Sequence, residues 1–319
     1  MNSKKQEKNT SPDKISVAPM LDWTDRHFRR FLRLICHNAM FYTEMIACPA
    51  LLLGDRRKLL SYDAAEHPLT LQVGGSDPHL MAQCAQIAAD YGYLGININA
   101  GCPSSRVQSG RFGAVLMQTP EIVADCVAEM RAKSPLPVSV KTRISLVGSG
   151  DGFAALFHFA DLVHRAGCSH LIVHARQAKL NLSPKDNRQK LPLDYDTVYR
   201  LKKSFPDLFI TINGNVLTLD QAAAHLQHTD GVMIGRLAYG DPYALAPVDK
   251  RFFNDSHPVL TRAQVLQEFF PYLEQHAESL SVIGPHLAGL FHGCPNAKAY
   301  RQAITSRDLT QIRTFLSTL

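Results

Sequence analysis

The feature that most limits what this chain can become is the even return of short apolar, β-branched stretches. They fall at Ile15–Ala18, Met40–Thr43, Leu69–Val73, Gly95–Ile98, Pro137–Thr142, His170–His174, Leu208–Asn213 and Gly231–Ile234. Eight starts between residues 15 and 231 recur roughly every 31 residues, the length of one strand–helix unit in a (β/α)8 barrel. Short apolar runs of this kind are what parallel strands buried on both faces require. Helix starts sit between them. Asp77-Pro78 sets a capping carboxylate before proline at the first helical position, with Gly92 after the stop. Thr119-Pro120-Glu121 repeats the device, and Thr218 with Gln221 reads as a capping box. A doubly wound open sheet also alternates strand and helix, but eight evenly spaced units favour closure. The fold class expected is α/β, a TIM barrel over residues 15–255.

Beyond residue 255 the texture changes. LTRAQVLQEFFPYLEQHAE, GPHLAGLFHGCP and NAKAYRQAITSRDLTQIRTFLSTL read as successive helices without strands, so residues 256–319 are expected to form a small helical bundle packed on, or hinged to, the barrel. Residues 1–14 lack an apolar segment and read as a disordered tail, not a signal peptide. No apolar run approaches the ~18 residues of a membrane span. Seven cysteines, scattered and with no CxxC pair, argue against a disulfide framework and a zinc knuckle. A reducing cytoplasm, no membrane and no metal are the expectation.

In a barrel, chemistry gathers at the carboxyl ends of the strands. There this chain places Ala18-Pro19-Met20, Gln72, Asn99 and Cys102, Lys141 and Arg143, His174 and Arg176, Asn213-Gly214-Asn215, and Gly235-Arg236. Asn99 and Cys102 lie three residues apart on a loop stiffened by Gly101 and Pro103. A free thiol titrates at about 8.5 and is largely protonated near pH 7, so it can serve as an acid; a buried structural cysteine beside a turn is the alternative. The last two groups form a phosphate cradle in the usual barrel position, with backbone N–H groups and an arginine fork. Gln72, Lys141 and His174 would lie deeper, facing a planar ring. Spacing points to FMN, although other phosphorylated ligands use such cradles.

The ordered set SVAPMLDWTDRHFRR, YTEM, LQVGGSDP, NINAGCPSSRVQSGRFGA, VSVKTRI, IVHAR, LSPKDNR, PLDY, NGN and DGVMIGR resembles the bacterial tRNA-dihydrouridine synthases, most closely their A subfamily, over roughly residues 14–305. The resemblance implies a TIM barrel with a C-terminal helical bundle, bound FMN, NADPH as reductant, and reduction of D-loop uridines 20 and 20a. It implies Cys102 as proton donor and Asn99 as the amide contacting the target base. Ala18, Pro19, Met20, Gln72, Lys141, His174, Asn213, Gly214, Asn215, Gly235 and Arg236 match FMN contacts. Lys185, Arg188, Lys298 and Arg301 match positions that grip tRNA. Asn215, where close relatives often carry glycine, and Val115, where relatives have a second cysteine, depart from the pattern. In the implied reaction, hydride from flavin N5 adds at C6 of uracil and Cys102 protonates C5 from the opposite face.

Charge placement fits an RNA partner better than the formal +6 does. From Arg176 to Lys203 there are eight Lys/Arg against three Asp/Glu, whereas from Ser256 onward five face four. The bundle therefore reads as a shape-recognising wall with a few placed cations, and the chain as a monomer. An FMN barrel acting on a small unsaturated carbonyl compound, or a tRNA-binding protein without turnover, are the alternatives.

Overall fold

The structure, a computed structural model, describes residues 11–319. Nine parallel strands follow in chain order: β1 (Ile15–Val17), β2 (Met40–Tyr42), β3 (Ile46–Ala47), β4 (Leu69–Gly74), β5 (Gly95–Asn99), β6 (Val138–Arg143), β7 (His170–His174), β8 (Phe209–Asn213) and β9 (Gly231–Ile234). β1 pairs with both β2 and β9, and β2 pairs with β4, so the sheet closes on itself. β3 is not a ninth stave. It pairs with β4 at Ile46↔Val73 and Ala47↔Gly74, beyond the β2 pairing at Phe41↔Leu69 and Tyr42↔Thr70. The second stave is thus broken at Thr43–Met45, and the sequence reading found only its first half. The Thr43 hydroxyl accepts the Gln72 N–H at 3.0 Å across the break, holding the ladder together.

The barrel interior is more polar than the apolar runs foretold. Gln72 Nε2 donates to Asn97 Oδ1 at 2.7 Å, and Asn97 Nδ2 donates to Ser139 Oγ at 2.9 Å. His170 Nε2 lies 2.7 Å from Thr211 Oγ1. These groups are almost wholly removed from water, and each would be costly without its partner. Ala18, Met40, Tyr42, Ile172 and Met233 fill the space between them. The strand faces turned outward, with Leu71, Ile96, Ile98, Val138, Val140, Leu171, Val173, Ile210 and Ile212, pack under the surrounding helices.

Two expectations need adjustment. Of the tail expected over residues 1–14, residues 1–10 lie outside the described residues, but Pro12–Lys14 form a 3-10 turn. Asp13 closes the lower end of the barrel, accepting from Tyr42 Oη at 3.1 Å and lying 3.6 Å from His170 Nδ1. The Thr218 hydroxyl caps its helix through the Gln221 N–H at 3.1 Å, whereas the Gln221 amide reaches the N–H of Leu217, so the reciprocal half of the box falls one residue early.

Four helices follow the barrel, at Arg262–Gln275, Leu280–Leu287, Ala297–Thr305 and Leu309–Leu316. The first two pack on the first barrel helix, Arg26–Arg33, and the last two pack on the first two. Phe31 meets Phe269 edge-on at 5.5 Å, His27 Nδ1 lies 2.8 Å from Tyr272 Oη, and His286 Nε2 lies 3.1 Å from Asp25 Oδ2. Phe31 and Phe269 are essentially solvent-free, each side chain worth about 1.5–3 kcal/mol of burial. Bundle and barrel share one hydrophobic core.

Candidate active site

Register brings the functional side chains together. Across the ladders Asn99 is paired with Lys141, Arg143 with His174, and His174 with Asn213, so residues far apart in sequence share the rim of one barrel mouth. The mouth opens into a cavity of about 1340 Å³. Its lining includes Ala18, Pro19, Met20, Gln72, Asn99, Cys102, Lys141, His174, Arg188, Asn213, Gly214, Asn215, Gly235 and Arg236. Bundle residues His276, Glu278, Ser279 and Val282 form part of its wall. Lys185, Lys298 and Arg301 are exposed and do not line it.

Cys102 is the only one of the seven cysteines that lines the cavity, and it is half-buried. Its loop is shaped by Asn99, whose Oδ1 accepts the N–H groups of Cys102 at 3.0 Å and Gly101 at 3.2 Å. The Asn99 Nδ2 donates to Gln72 Oε1 at 3.0 Å. Asn99 is therefore first a brace for the thiol loop, a role its Asx-turn spacing to residues 101 and 102 could have signalled. From the far side, Ala114 N donates to Cys102 O at 2.8 Å. Gly113 makes this approach possible: its φ is +77°, and a Cβ there would stand 2.6 Å from Cys102 O.

A second brace went unassigned in the sequence reading. Arg143 is 5% exposed and donates Nε to Gly101 O at 2.9 Å and Nη1 to Gln177 O at 3.0 Å, tying the thiol loop to the loop after β7. Lys141 Nζ donates to Asn213 Oδ1 at 3.1 Å. Burial, aided by Arg143, pushes the Lys141 ammonium down to about 7. Burial, then Arg143 and Lys141, hold the His174 imidazole neutral well below its ordinary range. A lysine poised between charge states and a neutral imidazole suit a ring that gains negative charge.

At the opposite side of the mouth Arg236 Nη2 donates to Asn215 Oδ1 at 2.7 Å, and Asn215 adopts a left-handed φ of 55° despite carrying a side chain. Gly235 faces Ala18 and Met20, where an added Cβ would make contact at 3.7–3.8 Å. Among the described residues, two shielded nitrogens here have no partner, His174 Nδ1 and Arg176 Nη1. A planar, acceptor-rich molecule ending in phosphate would satisfy both. On this ground the residues fit FMN. Trp23 lies on the cavity wall, stacked on Tyr239 with ring centroids 4.4 Å apart and planes 7° from parallel.

Fold and site together define a (β/α)8-barrel with a cation-lined mouth and one cavity-facing thiol. A family model described as dihydrouridine synthase (Dus) matches residues 16–314. A tRNA-dihydrouridine(20/20a) synthase of Shewanella oneidensis is 50% identical, covering 91% of this chain and 87% of its own length. One of Synechocystis sp. is 47% identical, covering 94% and 91%. The chain belongs to the dihydrouridine synthase family. Among solved structures, a morphinone reductase mutant in complex with tetrahydroNAD shares the fold with a TM-score of 0.52 at 14% identity, covering 73% of this chain and 85% of that one. Among the described residues no helix is long and apolar enough to cross a membrane.

Proposed function

We propose that this protein reduces uridines 20 and 20a of tRNA to 5,6-dihydrouridine in the cytoplasm, with FMN bound in the barrel mouth and NADPH as reductant. The observation that carries the reading is the convergence on one cavity of Cys102, Lys141, His174 and the Asn213–Arg236 cradle. When bound, FMN supplies the store through which two electrons pass from nicotinamide to uracil. The protein's own residues do the rest. Arg236, with backbone N–H groups near Gly214 and Gly235, holds the phosphate. Lys141, in its protonated form, would offset negative charge as it develops on the ring. Gln72 and His174 fix the ring's orientation.

The target base must leave its stack to reach this depth, at a cost of a few kcal/mol that an irregular loop reduces. Asn99 and Arg143 hold the Cys102 loop so that the thiol stands over the base. Cys102 would then give its proton to C5 of the base. Lys185, Arg188, Lys298 and Arg301, on the helix after β7 and in the bundle, contact phosphates and set the register of the tRNA. A small carbonyl substrate would need neither the bundle wall nor these four cations.

The test is direct. Purified protein given FMN, NADPH and unmodified tRNA should form dihydrouridine at 20 and 20a, and a deletion strain should lack it there. Unmodified tRNA after the flavin has been repeatedly reduced would exclude the reading. A variant with Lys185, Arg188, Lys298 and Arg301 all changed to alanine should bind tRNA more weakly, with a shallower salt dependence. Normal modification by that variant at the same nucleotides would exclude the proposed register.

A further inference from the structure

At the end of the barrel away from the cavity, three chain segments meet. The loop after helix Arg26–Arg33 brings His37, the helix Val248–Phe253 brings Asp249, and the linker running to the bundle brings Asp255 and His257. One ligand atom from each of His37, Asp249 and His257 lies within 4.8 Å of the others. We propose that these three residues form a site for a divalent transition-metal ion of the zinc class, with Asp255 orienting His257 from behind.

The geometry around His257 carries the argument. Its Nδ1 lies 3.0 Å from Asp255 Oδ1, and Asp255 is itself fixed by Asn38 Nδ2 at 2.7 Å and by the N–H of His257 at 3.0 Å. The Nδ1 of His257 stands out of line for a hydrogen bond to Oδ1 and has no other partner among the described residues; a small rotation of the ring would give the carboxylate-backed arrangement seen behind metal-bound histidines and leave the other nitrogen as the ligand. That other nitrogen, Nε2, faces Asp249 Oδ2 at 3.6 Å. The separation is too long for a direct hydrogen bond. It is close to the about 3.3 Å between two ligands of a tetrahedral zinc with 2.0–2.1 Å bonds.

Asp249 is almost fully buried, and its Oδ2 accepts one N–H, from His37 at 2.6 Å, so a lone pair remains toward His257. Its Oδ1 is occupied by the Asn38 N–H at 2.9 Å and the Cys36 thiol at 3.7 Å. The His37 ring stacks on that of His257 with centroids 4.1 Å apart. Being exposed, it is the member free to turn its nitrogen inward. Two imidazoles and one carboxylate favour zinc, cobalt or nickel over magnesium or calcium. The ion would fasten the linker of the bundle to the floor of the barrel. The scattered cysteines gave no hint of it, because its ligands are histidines and a carboxylate brought together from more than 200 residues apart.

The full-length flavin-loaded protein, stripped by a chelator, would be titrated with Zn²⁺, with Co²⁺ and, as control, with Mg²⁺. One equivalent of Zn²⁺ should raise the melting temperature, Co²⁺ should give visible ligand-field bands, and Mg²⁺ should do neither. Asp255→Asn should weaken Co²⁺ binding by about 10- to 100-fold. His37→Gln and His257→Gln should weaken it further, with flavin content and uridine reduction unchanged. Flavin content also reports that each variant is folded. Absence of Co²⁺ bands and of a Zn²⁺ shift, or an undiminished response in folded His257→Gln, would overturn the proposal and leave His257 as an ion-pair partner of the two aspartates.

Discussion

His170 and His174 stand four residues apart on the same strand, and they live in opposite kinds of surroundings. His170, at the lower end of β7, has Nε2 held by Thr211 at 2.7 Å, and its Nδ1 lies 3.6 Å from Asp13. His174, at the upper end, faces the cavity among Lys141, Arg143 and Arg176, with Nδ1 shielded and without a partner among the described residues. Burial lowers the affinity of both rings for a proton. At the lower end the polar groups satisfy one another, which is what a structural plug needs. At the upper end they are left over, which costs stability unless another molecule completes them. The difference separates polarity that holds the barrel from polarity that awaits a ligand.

The largest effect should come from the upper end. Cys102→Ala should leave FMN binding and NADPH-driven bleaching nearly intact, and slow flavin reoxidation by tRNA by about 10²- to 10⁴-fold. Stopped-flow absorbance follows each half separately, and an unchanged reoxidation rate would return Cys102 to a structural role. Arg236→Ala should cost FMN about 1.5–3 kcal/mol of binding, the range for a hydrogen bond to a charged group. Fluorescence titration of the flavin-free variant measures it, and parental affinity would mean the phosphate sits elsewhere.

Lys141→Met should lower the flavin midpoint potential by about 30–65 mV, the two-electron equivalent of about 1.5–3 kcal/mol. The gap has a stated direction with pH. Burial holds Lys141 at about 7, so below that value the charge is already present; above it, reduction must take up a proton to restore the charge. The difference between parent and variant should therefore narrow as pH rises past 7, and a constant gap would show that Lys141 does not titrate there. Thr211→Val tests the lower end. It leaves the buried His170 nitrogen without a partner, so it should cost about 1–3 kcal/mol of stability in denaturant melts, with flavin affinity unchanged. Loss of flavin affinity at equal stability would erase the distinction between the two ends.

Much of this was legible in the chain. Spacing announced the barrel, because each strand–helix unit carries its own punctuation in Asp77-Pro78 or Thr119-Pro120, and strand ends named the residues of the mouth. The break at Thr43–Met45 was not legible, since two residues at Ile46–Ala47 are too few to show a period. Nor was the bracing by Arg143: its partners are the backbone carbonyls of Gly101 and Gln177, and a carbonyl leaves no mark on sequence. Asn99 was read for its amide's chemistry toward a base, while its nearest obligation is to the loop it starts. Lys185, Lys298 and Arg301 were named through resemblance alone; being exposed, they have no geometry within the chain to argue from.

The stacked pair of Trp23 and Tyr239 has an optical consequence. Trp23 is the sole tryptophan of the chain, and it stands on the cavity wall. Its emission is therefore a single-site signal, quenched by energy transfer whenever a yellow chromophore occupies the mouth. Tyr239 in turn lies edge-on to His286 of the bundle at 5.8 Å, so the same indole senses whether the bundle is seated. Without any label, ultraviolet excitation reads out cofactor loading and domain docking from one reporter that evolution, or chance, left alone in its class.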